Sequence, residues 1–151
     1  MKKVTLLGDS IRMIGYGKTV AEALNKDGIE VFQPEENCRF SKYTLRMLFD
    51  LKDQIAGSDV IHWNNGLWDV SDLFGDGQFT PTEEYCENML RIADVLLKIT
   101  PNVIFATTTP VRNNYPYQTA EDIKRLNDAI VPLLKSKNIA INDLYGLVYP
   151  V

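Results

Sequence analysis

Histidine is almost missing from this chain: its 151 residues hold one, His62, and two cysteines, Cys38 and Cys86. Without Cys/His ligand spacing no metal centre is expected, and no cofactor motif stands in its place. Without a secretion signal both thiols are expected to be reduced. Lys2 and Lys3 mimic the start of a leader, but the apolar run "VTLL" is too short for its hydrophobic core. No apolar run approaches the roughly 20 residues that span a bilayer. Positive charge is not in excess either. Sixteen Lys and Arg stand against 20 Asp and Glu, a net charge of −4, which disfavours nucleic acid and anionic membrane as partners. Internal repeats, low-complexity tracts and domain linkers are lacking too. A cytoplasmic, single-domain protein acting on a small molecule is the expectation.

What is present is an alternation of apolar strands and helical periodicity. "KVTLLG", "IEVFQP", "DVIHWNNG", "NVIFATTTPV" and "NIAIND" read as five strands. Between them, residues 17–27 read as a helix closed by Gly28, and Ser41 as the cap of a second helix. Thr80, Pro81 and Glu83 spell a capping box with proline at the first helical position. Thr119 caps a further helix, which Pro132 should kink or divide. Strand–helix alternation with short links implies right-handed crossovers, hence a parallel sheet with helices on both faces: a three-layer, flavodoxin-like α/β fold.

In such sheets ligands bind beyond the carboxyl ends of the strands. Three polar clusters fall there: Gly8-Asp9-Ser10, Asn64-Asn65-Gly66 with Asp69, and Thr107-Thr108-Thr109-Pro110. Gly-Asp-Ser is common in plain turns. Its place after the first strand, however, turns the serine and nearby N–H groups toward the crevice.

These residues resemble the SGNH hydrolases, the GDSL-type esterases. Gly8-Asp9-Ser10 is similar to the first motif of that family, the asparagine–glycine–aspartate cluster after strand three to its third, and "IFATTTPV" to its fourth-strand segment. The resemblance runs over essentially the whole chain. It implies an acylhydrolase or deacetylase that works through an acyl-Ser10 intermediate. The oxyanion hole would combine the Ser10 N–H, an N–H after strand two (Cys38, with Arg39 as alternative) and the Asn64 side chain, with Asn65 as its rival. Asp9 and Gly66 would support the site. Trp68 stands where the family has asparagine, and "ENCRFS" lacks the glycine usual after strand two. Cys38 carries no sign of an activated thiol.

The resemblance also implies an Asp-x-x-His beyond the fifth strand. Here Asp143 is followed three positions later by Gly146, and no histidine follows residue 62. "DVIH", residues 59–62, has the spacing but lies in a strand, where positions three apart face opposite ways, so His62 is expected to be packed in the sheet. Three accounts fit: a shortened form of an active esterase, which we favour; a degenerate member that binds without turnover; or a base supplied by a partner subunit. A flavodoxin-like ligand-binding module is the alternative from another class, although the first loop lacks the P-loop glycine pattern. The substrate is expected to be a small ester, an acetylated carbohydrate being the suggested case. Trp68, Tyr115 and Tyr117, from loops that border the pocket, suit a sugar ring. The short tail "LYGLVYPV" is expected to leave the sheet bare near strands one and five, at Ile139 and Ile141 or their neighbours, so that a homodimer forms there.

Overall fold

The computed structural model describes residues 2–150. Five strands form one sheet in the order β2-β1-β3-β4-β5, every neighbouring pair parallel. They are β1 (Lys3–Leu7), β2 (Glu30–Phe32), β3 (Val60–Trp63), β4 (Val103–Ala106) and β5 (Ala140–Asn142). A π-helical segment, Ile11–Tyr16, follows β1 and runs into α1 (Gly17–Lys26). The other helices are α2 (Ser41–Asp50), the short α3 (Lys52–Ile55), α4 (Thr82–Leu97), α5 (Ala120–Lys135) and α6 (Leu144–Val148). This is the three-layer α/β arrangement that the alternation predicts. No helix among the described residues is long and apolar enough to cross a membrane.

Side-chain parity divides the core. Leu7, Ile61, Trp63, Val103 and Phe105 point to one face, where α2, α4 and α5 bring Met47, Leu48, Tyr85, Met89, Ile92, Leu96, Ile123, Leu126 and Ile130. Trp63 and Phe105 meet edge to face at 5.2 Å. The opposite face carries Val4, Leu6, Val60, His62 and Ile104. Val20 and Leu24 of α1 and Leu144 of α6 border the groove above them. Ile139 is buried and Ile141 packs against the main core, so of the positions expected to be bare these two are covered. Both share the covered face, and the half-open one belongs to their even-numbered neighbours.

Helix ends differ from the sequence signals in an instructive way. Gly28 does close α1. It is left-handed (φ 76°), and the Ile29 N–H donates to Leu24 O while its own N–H donates to Asn25 O. Thr119 caps α5 through the Asp122 N–H. Ser41, however, is the first helical residue rather than the cap, and Phe40 occupies the cap position. Likewise Pro81 caps α4, so no Thr80–Glu83 box forms. Both residues meet Asp69 instead: the Ser41 hydroxyl donates to its carboxylate and the Thr80 N–H to its backbone carbonyl. Pro132 lies in the last turn of α5 and does not divide it, because only one backbone bond is lost there.

Candidate active site

Ser10 sits half-buried at the carboxyl edge of the sheet, where β1 has ended and the backbone has already turned helical (φ −62°, ψ −26°). Its N–H stands at the first turn, where a helix offers no internal acceptor. The turn before it is tightly packed. A Cβ on Gly8 would lie 1.7 Å from Asn64 Oδ1, so only glycine lets β1 approach the loop after β3 this closely. Asp9 is fully buried. Its Oδ1 accepts from the Ile11 N–H at 2.9 Å and from Asn64 Nδ2 at 3.4 Å, and its Oδ2 has no partner among the described residues. Burial pushes the Asp9 carboxyl up, against the pull of these bonds and of Arg12.

Asn64 lies directly under this turn, bonded to Asp9 and accepting from the Tyr16 hydroxyl at 3.4 Å. Asn65 is fully engaged elsewhere. Its Nδ2 donates to Arg39 O and Thr44 Oγ1, and its Oδ1 accepts from Trp63 Nε1. It therefore cannot offer an oxyanion donor. Gly66 lets the same loop close on β4, since a Cβ there would meet Thr108 Oγ1 at 2.1 Å.

The segment after β2 departs from expectation. The Cys38 N–H donates to Gly8 O at 3.1 Å, and the Arg39 N–H to Asn37 Oδ1 at 2.7 Å. Neither points a free donor at Ser10, which removes Cys38 from the oxyanion hole in this geometry. The missing glycine is not the cause. Arg39 adopts the left-handed conformation itself (φ 54°), held by the Asn65 amide. The Cys38 thiol is buried, and that burial pushes it up, which disfavours the thiolate.

Arg12 escaped the sequence reading. It is fully buried, and its five N–H groups reach Gly8 O twice, Gln33 Oε1, Pro34 O and Glu36 O at 3.0–3.2 Å. It thus ties the serine turn to the loop after β2. Its only advance signal was a cation inside the apolar stretch "IRMIGYG".

His62 faces away from this site. Its Nε2 is 3.1 Å from Asn142 Nδ2, its ring meets Tyr16 edge-on at 5.4 Å, and it lines the groove beneath α1. Asp59 instead bonds to the Lys3 N–H, so Asp59 and His62 form no pair. Ser10 itself borders a cavity of about 440 Å³. Trp68 and Tyr115 line that cavity, as do Phe40, Leu67, Phe79 and Gln118. Tyr117 contributes its carbonyl, which accepts from the Asp72 N–H and joins the two bordering loops.

This parallel sheet order, with helices on both faces, defines a three-layer α/β architecture that known structures share. An acetyl xylan esterase, AlAXEase, superposes with a TM-score of 0.77 at 22% identity, over 95% of this chain and 78% of its own. A lipase/acylhydrolase from Enterococcus faecalis gives 0.70 at 21%, over 99% and 80%. An acetylxylan esterase from Geobacillus stearothermophilus gives 0.73 at 14%, over 99% and 81%. No family model matches the sequence, and no curated protein does. The fold is that of the SGNH, or GDSL-type, esterases and acylhydrolases. At these identities the shared property is the architecture.

Proposed function

We propose that the protein is a serine ester hydrolase of the acylhydrolase or deacetylase type, with Ser10 as its nucleophile. The observation that carries this reading is the place of Ser10: on the carboxyl edge, at a helix start, beside a cavity, in an esterase architecture. Ser10 Oγ would add to the ester carbonyl carbon. The resulting oxyanion would be held by the Ser10 N–H, with the Asn64 amide as second donor once it turns from Asp9. Collapse expels the alcohol and leaves acyl-Ser10, which water then hydrolyses. Asp9, Arg12 and Gly66 hold the turn and the neighbouring loop in place. The substrate is a small ester, with an acetylated carbohydrate favoured by the aromatic lining of the cavity and consistent with the esterases of like fold.

Ser10 must lose its proton to a base, and the sole histidine lies in the groove on the other face of the sheet. Without a base the hydroxyl is a weak nucleophile, and oxyanion stabilisation alone supports roughly 10³–10⁴-fold acceleration over water. The 151-residue chain is therefore expected to turn over aryl acetates slowly, with the residual rate lost in Ser10→Ala. A fluorophosphonate probe with mapping of the labelled peptide tests the assignment directly. Slow label on Ser10, absent from Ser10→Ala, supports it, whereas a Ser10 left unlabelled on prolonged exposure in a folded protein refutes it as the nucleophile. The orientation of His62 favours, as a second reading, a binder of acylated ligands without turnover. Fast hydrolysis by the pure chain would exclude that reading and point to a base from a second copy.

A further inference from the structure

One polar side chain in the wall of the Ser10 cavity has incomplete bonding. Gln118 Nε2 donates to Ser71 Oγ at 2.6 Å and to Leu67 O at 3.4 Å. Ser71 gives its own hydrogen to Leu67 O at 2.8 Å, so the atom that faces Ser71 must be a donor, and the orientation of the amide follows. Gln118 Oε1 is left buried, with no donor among the described residues. A buried acceptor without a partner is uncommon and unfavourable. Gln118 also borders a second cavity of about 230 Å³ beneath the 112–120 loop, so its amide has room to turn toward a ligand.

The remainder of the wall is aromatic. Trp68, Phe79 and Tyr115 are partly exposed around the same space. Flat apolar faces, beside an unpaired amide oxygen that reaches the space once Gln118 turns, suit a ligand that has C–H faces and hydroxyl edges. A plain acyl chain would cover the rings and leave Oε1 unpaired. We infer that this cavity is the alcohol-side subsite, and that Gln118 Oε1 accepts a hydrogen bond from a hydroxyl of a carbohydrate ring whose ester lies at Ser10. The inference rests on the esterase reading above for the role of the subsite, but not for its occupancy by a sugar.

Binding can be measured without turnover. The intact chain is titrated with xylobiose and, separately, with fully O-methylated xylobiose, which keeps the ring faces and lacks hydroxyl donors. The expected result is saturable shifts of the Gln118 side-chain amide and Trp68 indole signals in NMR spectra, with xylobiose preferred by about three- to tenfold. Gln118→Met keeps the length of the side chain and loses the carbonyl, so it should abolish that preference; a purely structural cross-link between loops would not. Equal affinity for the two sugars, shifts confined to other residues, no saturable binding, or a preference retained in Gln118→Met would each overturn the inference. If the variant fails to fold, the comparison of the two sugars on the unmutated chain decides. Sugar binding without phosphonate labelling would remove the esterase reading and keep the sugar site. Labelling without sugar binding would do the reverse.

Discussion

His62 shows how one buried ring can set a pH dependence without taking part in chemistry. Burial holds its imidazole below the ordinary value of 6.5, and no compensating charge is near enough to raise it. The unfolded chain then binds a proton that the folded chain refuses, so stability falls as pH drops below about 6.5 and levels off below the folded value. Above that window the ring contributes nothing. His62→Gln can keep a bond to Asn142 but cannot titrate. Urea unfolding at about pH 7.5 and about pH 5.5 should show the wild type losing stability relative to this variant at the lower pH. A constant difference between the two proteins would mean that the groove accommodates the imidazolium. Burial raises the Asp9 and Asp69 carboxyls, so the folded chain there binds the extra proton and stability rises with acid. Both proteins carry that term, and the comparison cancels it. The meeting of Gly8, Asp9 and Ser10 with Asn64 and Gly66 at the carboxyl edge was legible in advance because short motifs at two strand ends fix the local turns. Arg12 and Gln118 were not, since their partners come from segments 21–24 and 47–51 residues away.

The start of α2 illustrates the same contrast between local and distant partners. Asp69 receives the Ser41 N–H on both oxygens, at 3.1 and 3.0 Å, and the Ser41 hydroxyl at 2.7 Å. Asn88 of α4 in turn donates to Ser41 Oγ at 3.0 Å. A carboxylate at a helix N-terminus also meets the positive end of the helix dipole. The loop after β3 thus joins α2 to α4, and the aspartate of the second polar cluster holds the start of α2. Asp69→Ala leaves the buried donors of Ser41 unpaired and should cost about 3 kcal/mol of stability, whereas Asp69→Asn keeps one acceptor and should cost about 1 kcal/mol. Chemical denaturation measures both, and a loss below about 0.5 kcal/mol for the alanine variant would show that water replaces the carboxylate. A hydroxyl just ahead of an apolar helical stripe reads as a self-contained cap. That reading succeeds at Thr119, whose partner is three residues away, and fails at Ser41, whose partner is 28 residues away. The order of the five strands and of α1, α2, α4 and α5 was readable because the apolar period changes between them and does not depend on the identity of the cap. The π-helical segment and the short α3 and α6 carry too few periodic residues to be read.

The two faces of the sheet are covered unequally, and this bears on association. Three helices seal one face, while α1 and the five-residue α6 only flank the other. Between them runs an apolar groove of about 400 Å³ lined by Val4, Leu6, Val60 and Ile104, with His62 and Asn142 as its polar members. Burying such a surface against a second copy releases water from it, at about 25 cal/mol for each Å² of apolar area removed. A two-fold contact would set the same groove on itself, with no need for a complementary patch elsewhere. Light scattering over a range of concentrations should therefore show reversible association, and Ile104→Lys, by placing a charge in the groove, should shift it toward monomers. His62 adds an independent check, because its ring lines the same surface. Protonation would put a charge into the interface, so association should weaken as pH falls through the lowered value of the folded ring. Monomers at every concentration would mean that the groove stays hydrated in the free chain. Association indifferent to both the lysine and the pH would place the contact on another surface, for which the exposed Leu73, Phe74 and Phe79 beside the Ser10 cavity are the next apolar group.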